Sequence, residues 1–351
     1  MLQAAFHAWE RRLASVTTDR VVREFDWGFD WIPGGRTDLH TWVSEVMSDT
    51  DRFFTPPPTD EYLLGEPSEE GDRLLTFPSA FPTPHQDNNT VYCRYFEARR
   101  SAKASAERSP RAAVLVLPQW NADNGGHVGL CRLLNWSGMS ALRLSLPYHH
   151  QRMPPELHRA DYIVSSNVAR TVQVCRQAVL DARRAIAWLH AQGYERIGIL
   201  GTSLGSCLAL LTAAHEPLIR AAALNHISPY FADVVWRGLS TEHVRKGLDG
   251  HIDLETLRDP WKPISPWWYL DRLRDRQTLL VYAKYDLTFP VDLSRDLVRE
   301  FGNRGVPHQV AVLPFGHYST GKTPFKYWDG WVLTRFLKRA LTTTEESRAA
   351  R

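Results

Sequence analysis

Residues 196–205 read Arg196-Ile197-Gly198-Ile199-Leu200-Gly201-Thr202-Ser203-Leu204-Gly205, and this stretch decides the fold. The apolar run Ile197 to Leu200 suits a strand buried on both faces of a parallel sheet. Leu204 to Ala214 then reads as a helix. Between them stands G-x-S-x-G, a pattern that holds a serine on a tight strand-to-helix turn and lifts its hydroxyl above the sheet edge. The glycines two residues either side of Ser203 have a steric reason, because such a turn brings neighbouring backbone too close for larger side chains. Five residues alone match by chance in many proteins. Their position between an apolar strand and a helix is what gives the match weight.

Outward from this turn, strands and helices alternate. Val91 to Phe96 alternates like a half-buried strand, and Ala112 to Leu117 and Ala141 to Leu146 are short apolar runs, each stopped by a proline. Val168, Val172, Cys175, Val179, Ala182, Ile186 and Leu189 recur at steps of three and four, which makes one helical stripe. Ser165 or Ser166 is placed to cap this helix and Gly193 to end it. Further strands are expected at 219–224, 278–283 and 309–313, with helices near 291–302 and 326–341. The alternation predicts an α/β fold, a doubly wound and mostly parallel sheet. Residues 229–276, rich in Trp, Pro and charge, break the rhythm and read as an inserted lid over the carboxyl edge. Residues 1–75 read as an N-terminal extension of helix and loop, with an amphipathic start (Leu2, Phe6, Trp9, Leu13), Pro56-Pro57-Pro58 and an acidic patch at 66–72. The main domain is taken as 76–345.

A serine hydroxyl needs a neighbouring base to become a nucleophile, and the base needs an orienting acid. Asp286 follows the strand Thr278 to Ala283, and His317 follows the strand ending at Leu313. Both positions are loops at strand carboxyl ends, where open α/β sheets place their ligand sites. The order Ser203, Asp286, His317 assigns nucleophile, orienting acid and base. Asp292 is the rival acid, but it lies at a helix start and suits a cap. The oxyanion requires backbone N–H donors. Leu204, at a helix N-terminus, supplies one; the other is expected from Pro118-Gln119-Trp120-Asn121, with Trp120 chosen and Gln119 as the near alternative.

In order, spacing and strand context, residues 89–342 resemble the α/β-hydrolase superfamily. Many of its members carry His-Gly where this chain has Pro118-Gln119. Phe77-Pro78-Ser79-Ala80 and Asn88-Asn89-Thr90-Val91, with Phe25-Asp26-Trp27-Gly28-Phe29-Asp30-Trp31 upstream, are also similar to a poorly characterised bacterial branch. That branch is loosely related to eukaryotic mitochondrial members, some thought to act on acylated lipids. The resemblance implies a serine hydrolase that cleaves a carboxylic ester or thioester of a small-molecule acyl substrate through an acyl-enzyme. An amidase or peptidase with the same triad and a non-catalytic binding module are the alternatives.

Other features bound the reading. Tyr148, His149 and Arg152 follow a strand end and, with His226 after the strand 219–224, are candidate substrate contacts. The adjacent His149 and His150 lack a cluster at ligand spacing, so no metal is expected. No glycine-rich phosphate loop is present, and no cofactor is expected. A net charge of +3 over 351 residues, without a basic block, predicts no nucleic-acid partner. No run is long and apolar enough for a membrane segment. Four scattered cysteines and the lack of a secretory leader predict a soluble, cytoplasmic protein with reduced thiols. The thirteen tryptophans are expected mainly in packing.

Overall fold

The computed structural model describes residues 2–98 and 110–342. In chain order the elements are α1 (Leu2–Ala14), α2 (Leu39–Ser48), α3 (Thr50–Phe54), β1 (Leu63–Pro67), β2 (Arg73–Pro78), β3 (Thr90–Phe96), β4 (Ala112–Leu117), α4 (Val128–Trp136) and β5 (Ser140–Leu144). Then follow α5 (Val168–Ala191), β6 (Arg196–Thr202), α6 (Leu204–His215), β7 (Ile219–Asn225), α7 (Phe231–Arg237), α8 (Glu242–Leu248) and α9 (Leu254–Arg258). The chain closes with β8 (Gln277–Ala283), α10 (Val291–Asn303), β9 (Gln309–Leu313) and α11 (Phe325–Thr342). The sheet order is β1-β2-β3-β5-β4-β6-β7-β8-β9. From β5 to β9 neighbouring strands run parallel, and β1, β2 and β3 are joined on antiparallel.

Alternation along the central strands splits the interior in two. In β4, Ala113, Leu115 and Leu117 face one apolar cluster with Val172, Val179 and Ile186 of α5 and Leu208 and Leu211 of α6. Ala112, Val114 and Val116 face the other, with Cys131 and Leu134 of α4 and Leu333 and Leu337 of α11. A strand covered on both sides has no polar face to present, so β4 is an unbroken apolar run rather than an alternating one. The doubly wound, mostly parallel sheet is thus as the sequence predicts.

Two expectations need correction. The boundary at 75 cuts through β2, because β1 and β2 belong to the same sheet. The acidic patch hides this: Glu66 and Pro67 lie on the exposed edge strand β1, where polar residues and proline are tolerated. The cap of α5 is Asn167, whose side chain accepts from the Arg170 N–H at 3.0 Å, rather than Ser165 or Ser166. Ser166 instead holds the N-terminal segment, its hydroxyl within 2.8–2.9 Å of the Glu24 and Arg23 carbonyls. The domain end taken at 345 lies outside the described residues. Residues 229–276, between β7 and β8, are a helical insertion carrying α7, α8 and α9. No helix among the described residues is long and apolar enough to cross a membrane. The four cysteines are buried and unpaired, and burial pushes the Cys131 thiol up to about 12.

Candidate functional site

Ser203 joins β6 to α6 with φ 57° and ψ −122°, a conformation that L-residues adopt only when their surroundings impose it. The surroundings do so by contact. A Cβ on Gly201 would overlap the Gly205 carbonyl, and a Cβ on Gly205 would overlap the carbonyls of Leu117 and Pro118. The Ser203 N–H is anchored on the Asn225 carbonyl of β7 at 2.8 Å. As the first residue of α6, Leu204 has an N–H without an acceptor within its own helix.

The loops after β8 and β9 meet beside this turn. His317 Nδ1 lies 2.9 Å from Asp286 Oδ2, and the Phe289 ring stacks on the imidazole at 5.4 Å between centroids. Asp286 is buried, and its Oδ1 accepts from the N–H groups of Thr288 (2.8 Å) and Phe289 (2.7 Å). Burial by itself would raise the Asp286 carboxyl, but His317 and His226 outweigh it and hold the group well below the usual carboxylate range. Burial also opposes the His317 imidazolium, yet the Asp286 charge and hydrogen bond, aided by Glu10, leave that imidazole more basic than usual. Ser203 and His317 line one cavity of about 1080 Å³. No hydrogen bond joins their side chains. Asp292, the rival acid, pairs with Arg237 at the surface.

His226, expected to contact substrate, does line the cavity, but its polar atoms are committed. Nδ1 sits 2.9 Å from the same Asp286 Oδ2, and Nε2 sits 3.1 Å from Thr320 Oγ1. Ligand atoms of His226, Asp286 and His317 fall within 4.8 Å of one another, the spacing of a metal trio. The two 2.9 Å N···O separations are hydrogen-bond distances from two imidazoles to one carboxylate oxygen.

The geometry does not bring Tyr148, His149 or Arg152 to the cavity. Tyr148 is buried against His85, 3.0 Å from its hydroxyl. Arg152 is fully buried on Asp181 (2.8 Å) and the carbonyls of Asn88 and Ser145. Asp181 also accepts from Ser79, and Asn88 donates to Gln177. The 77–80 and 88–91 segments therefore serve this buried network, which ties the antiparallel strands to α5. Placing Arg152 in the cavity from sequence failed because a strand-end position does not tell which way the following turn folds. His149, its imidazole held near a pKa of 3 by burial, accepts from the Asn121 N–H at 2.9 Å and fixes the loop carrying Gln119 and Trp120. Those two residues do line the cavity.

Several site groups escaped the sequence reading. Glu10 of α1 is fully buried and receives the N–H groups of Tyr318 (2.7 Å) and Ser319 (2.9 Å), the two residues after His317. A Cβ on Gly316 would collide with the Glu10 carboxylate. Phe6 stacks on Tyr285, next to Asp286, at 4.5 Å. Only the buried glutamate within an otherwise amphipathic helix could have signalled this, and its partner lies 308 residues away. On the other side, Asp329 of α11 lines the cavity and accepts from Asn225 at 2.9 Å. Burial raises its carboxyl to about 6, against partial relief from His226 and Asn225.

No protein-family model matches the sequence, and no curated relative does. Solved structures do match in shape. They include the acetyl xylan esterase from Paenibacillus sp. R4 (TM-score 0.60, 15% identity, 89% of this chain and 98% of that one). Acetyl xylan esterase 1 from Thermoanaerobacterium sp. JW/SL YS485 gives 0.57 at 12% identity, over 93% and 98% of the two chains. The acylaminoacyl peptidase of Pyrococcus horikoshii gives 0.58 at 13% identity, over 81% of this chain but 42% of the peptidase, so the chain spans less than half of that protein. With its mostly parallel nine-stranded sheet, its strand-to-helix serine turn and these neighbours, the chain has the α/β-hydrolase fold.

Proposed function

We propose that the protein is a serine hydrolase that cleaves a carboxylic ester or thioester through an acyl-enzyme. The observation that carries this is the strained Ser203 turn sharing a cavity with His317, whose imidazole is tied to the buried Asp286. Ser203 Oγ attacks the acyl carbonyl while His317 Nε2 takes its proton. The developing imidazolium is stabilised by Asp286, which stays ionised because four N–H donors face its two oxygens. The tetrahedral oxyanion is held by the Leu204 N–H together with the Trp120 N–H, or that of Gln119, and the α6 dipole adds to the stabilisation. His317 then protonates the leaving group, water attacks the acyl-enzyme with His317 as base, and Ser203 is regenerated. No step requires a metal or an organic cofactor.

Reaction with a fluorophosphonate probe tests the assignment. Wild-type protein is expected to be labelled covalently and Ser203→Ala not at all. Labelling of both to the same extent, or of neither, overturns it. The shared shape with a peptidase supports an amide-cleaving reading as second choice, and a panel of esters, thioesters and amides with one common acyl group separates the two.

A further inference from the structure

The cavity wall carries two guanidinium groups, one from the N-terminal segment and one from the connection between β5 and α5. Arg20 and Arg159 both line it, together with Thr17, Ser240 and Thr241. Arg159 lies over the indole of Trp120, 5.4 Å from the ring centroid, and so adjoins the candidate oxyanion loop. Arg20 donates to the Tyr318 hydroxyl at 2.9 Å and so adjoins the residue after His317. Each cation thus adjoins a residue next to a candidate catalytic group, and the Arg159–Asp19 contact ties Arg159 to the residue before Arg20.

Their donor capacity is largely unused. Each guanidinium has five N–H groups. By hydrogen bond, Arg20 commits one nitrogen to Tyr318 and Arg159 one to Asp19 (2.8 Å). The Nε atoms of both are buried without a hydrogen-bond partner, although Arg159 Nε is 3.6 Å from Asp161. Nη1 of Arg20 and Nη2 of Arg159 bond to no protein atom among the described residues and are not sealed from solvent. Asp19 is half exposed and does not line the cavity, and Asp161 is already shared with Arg23 at 3.0 Å. The acidic residues that do line the cavity are Asp123, before α4, and Asp329, in α11, and neither pairs with Arg20 or Arg159. His243, stacked on Trp120, is held near a pKa of 4, chiefly by burial, with Arg159 and Arg20 lowering it further and Asp19 raising it.

We propose that Arg20 and Arg159 form a subsite for an anionic group of the substrate, a carboxylate or a phosphate, next to the scissile ester. Planar forks with free N–H pairs suit both oxyanions. The inference rests on the serine-hydrolase reading and narrows its substrate class. It also gives the N-terminal segment a place in the site, since one of the two cations comes from it.

Matched substrate pairs test it. Mono-p-nitrophenyl glutarate against p-nitrophenyl butyrate carries the carboxylate arm, and acetylated glycerol phosphate against acetylated glycerol carries the phosphate arm. In at least one pair the anionic member is expected to have a tenfold or greater kcat/KM, expressed mainly in KM and shrinking as salt is raised. Whichever arm shows it identifies the source of the anion. In Arg20→Gln, which alters a partly exposed side chain, the anionic-to-neutral ratio should fall about tenfold, with Arg20→Lys restoring part of it. A ratio near one in both wild-type pairs, or a ratio unchanged in both Arg20→Gln and Arg159→Gln, overturns the proposal. Calorimetry with inorganic phosphate reads the subsite without catalysis, and binding should weaken in Arg20→Gln. Phosphate binding by a protein that fluorophosphonate does not label would sink the hydrolase reading alone. Labelling without phosphate binding or anionic preference would sink the subsite alone.

Discussion

At the scale of single residues, the site is governed by how few acceptors serve many donors. Asp286 receives two backbone and two imidazole N–H groups, and the two histidines, against the opposing effect of burial, hold its pKa down. Glu10 extends this pattern by placing a second carboxylate under the His317 loop. Since Glu10 adds to the basicity of His317, Glu10→Gln should lower the pKa of that imidazole. The base must be neutral to act, so the acid limb of kcat/KM against pH should move to lower pH, while the glutamine still accepts one N–H and limits the loss of fold. An unchanged limb would mean that Glu10 only fills space. Asp329 gives a pH dependence of opposite origin. Its carboxyl is raised in the fold to about 6 from an ordinary value near 4, so its burial carries no penalty below the unfolded pKa. The penalty grows as pH rises from the unfolded pKa and is complete above about 6. Asp329→Asn should therefore stabilise the fold at pH 8 by up to about 3 kcal/mol, read as a higher Tm, and by about half of that at pH 5. Equal changes at both pH values would show that the carboxyl does not titrate there.

At the scale of elements, the serine turn was legible because its requirements are local. Glycine at 201 and 205 is demanded by backbone contacts between β6, α6 and the end of β4. Gly201→Ala should abolish probe labelling even where circular dichroism still reports a folded sheet. Other elements were illegible for equally physical reasons. The short strands β1, at the sheet edge, and β2, beside it, lack a continuous apolar run, and α2 and α3 show no long stripe. The turn after β5 was expected to deliver Tyr148, His149 and Arg152 to substrate, but it folds inward and spends them on the interior. Arg152→Ala should accordingly cost about 3–5 kcal/mol, because it leaves Asp181 buried without its cation. Chemical denaturation measures this; a raised KM with unchanged stability would restore the substrate role.

At the scale of the whole molecule, the sheet brings three distant loops together, and the N-terminal segment closes the assembly. Glu10 and Phe6 brace the loops of His317 and Asp286, while Thr17 and Arg20 form part of the cavity wall. A variant lacking residues 2–22 should retain the sheet yet react with fluorophosphonate at least tenfold more slowly, measured by labelling rate against circular dichroism. The sequence by itself determined the central sheet, the serine turn and the order of the three candidate catalytic residues. These depend on apolar periodicity and on strand-end positions, both of which are local properties of the chain. Only the tertiary structure decided which wall each remaining polar residue joins. It moved Arg152 inward, set His226 on the same carboxylate as His317, and carried Glu10 and Arg20 into the site. Such placements depend on contacts between residues from 29 to 308 positions apart, and no local pattern encodes them.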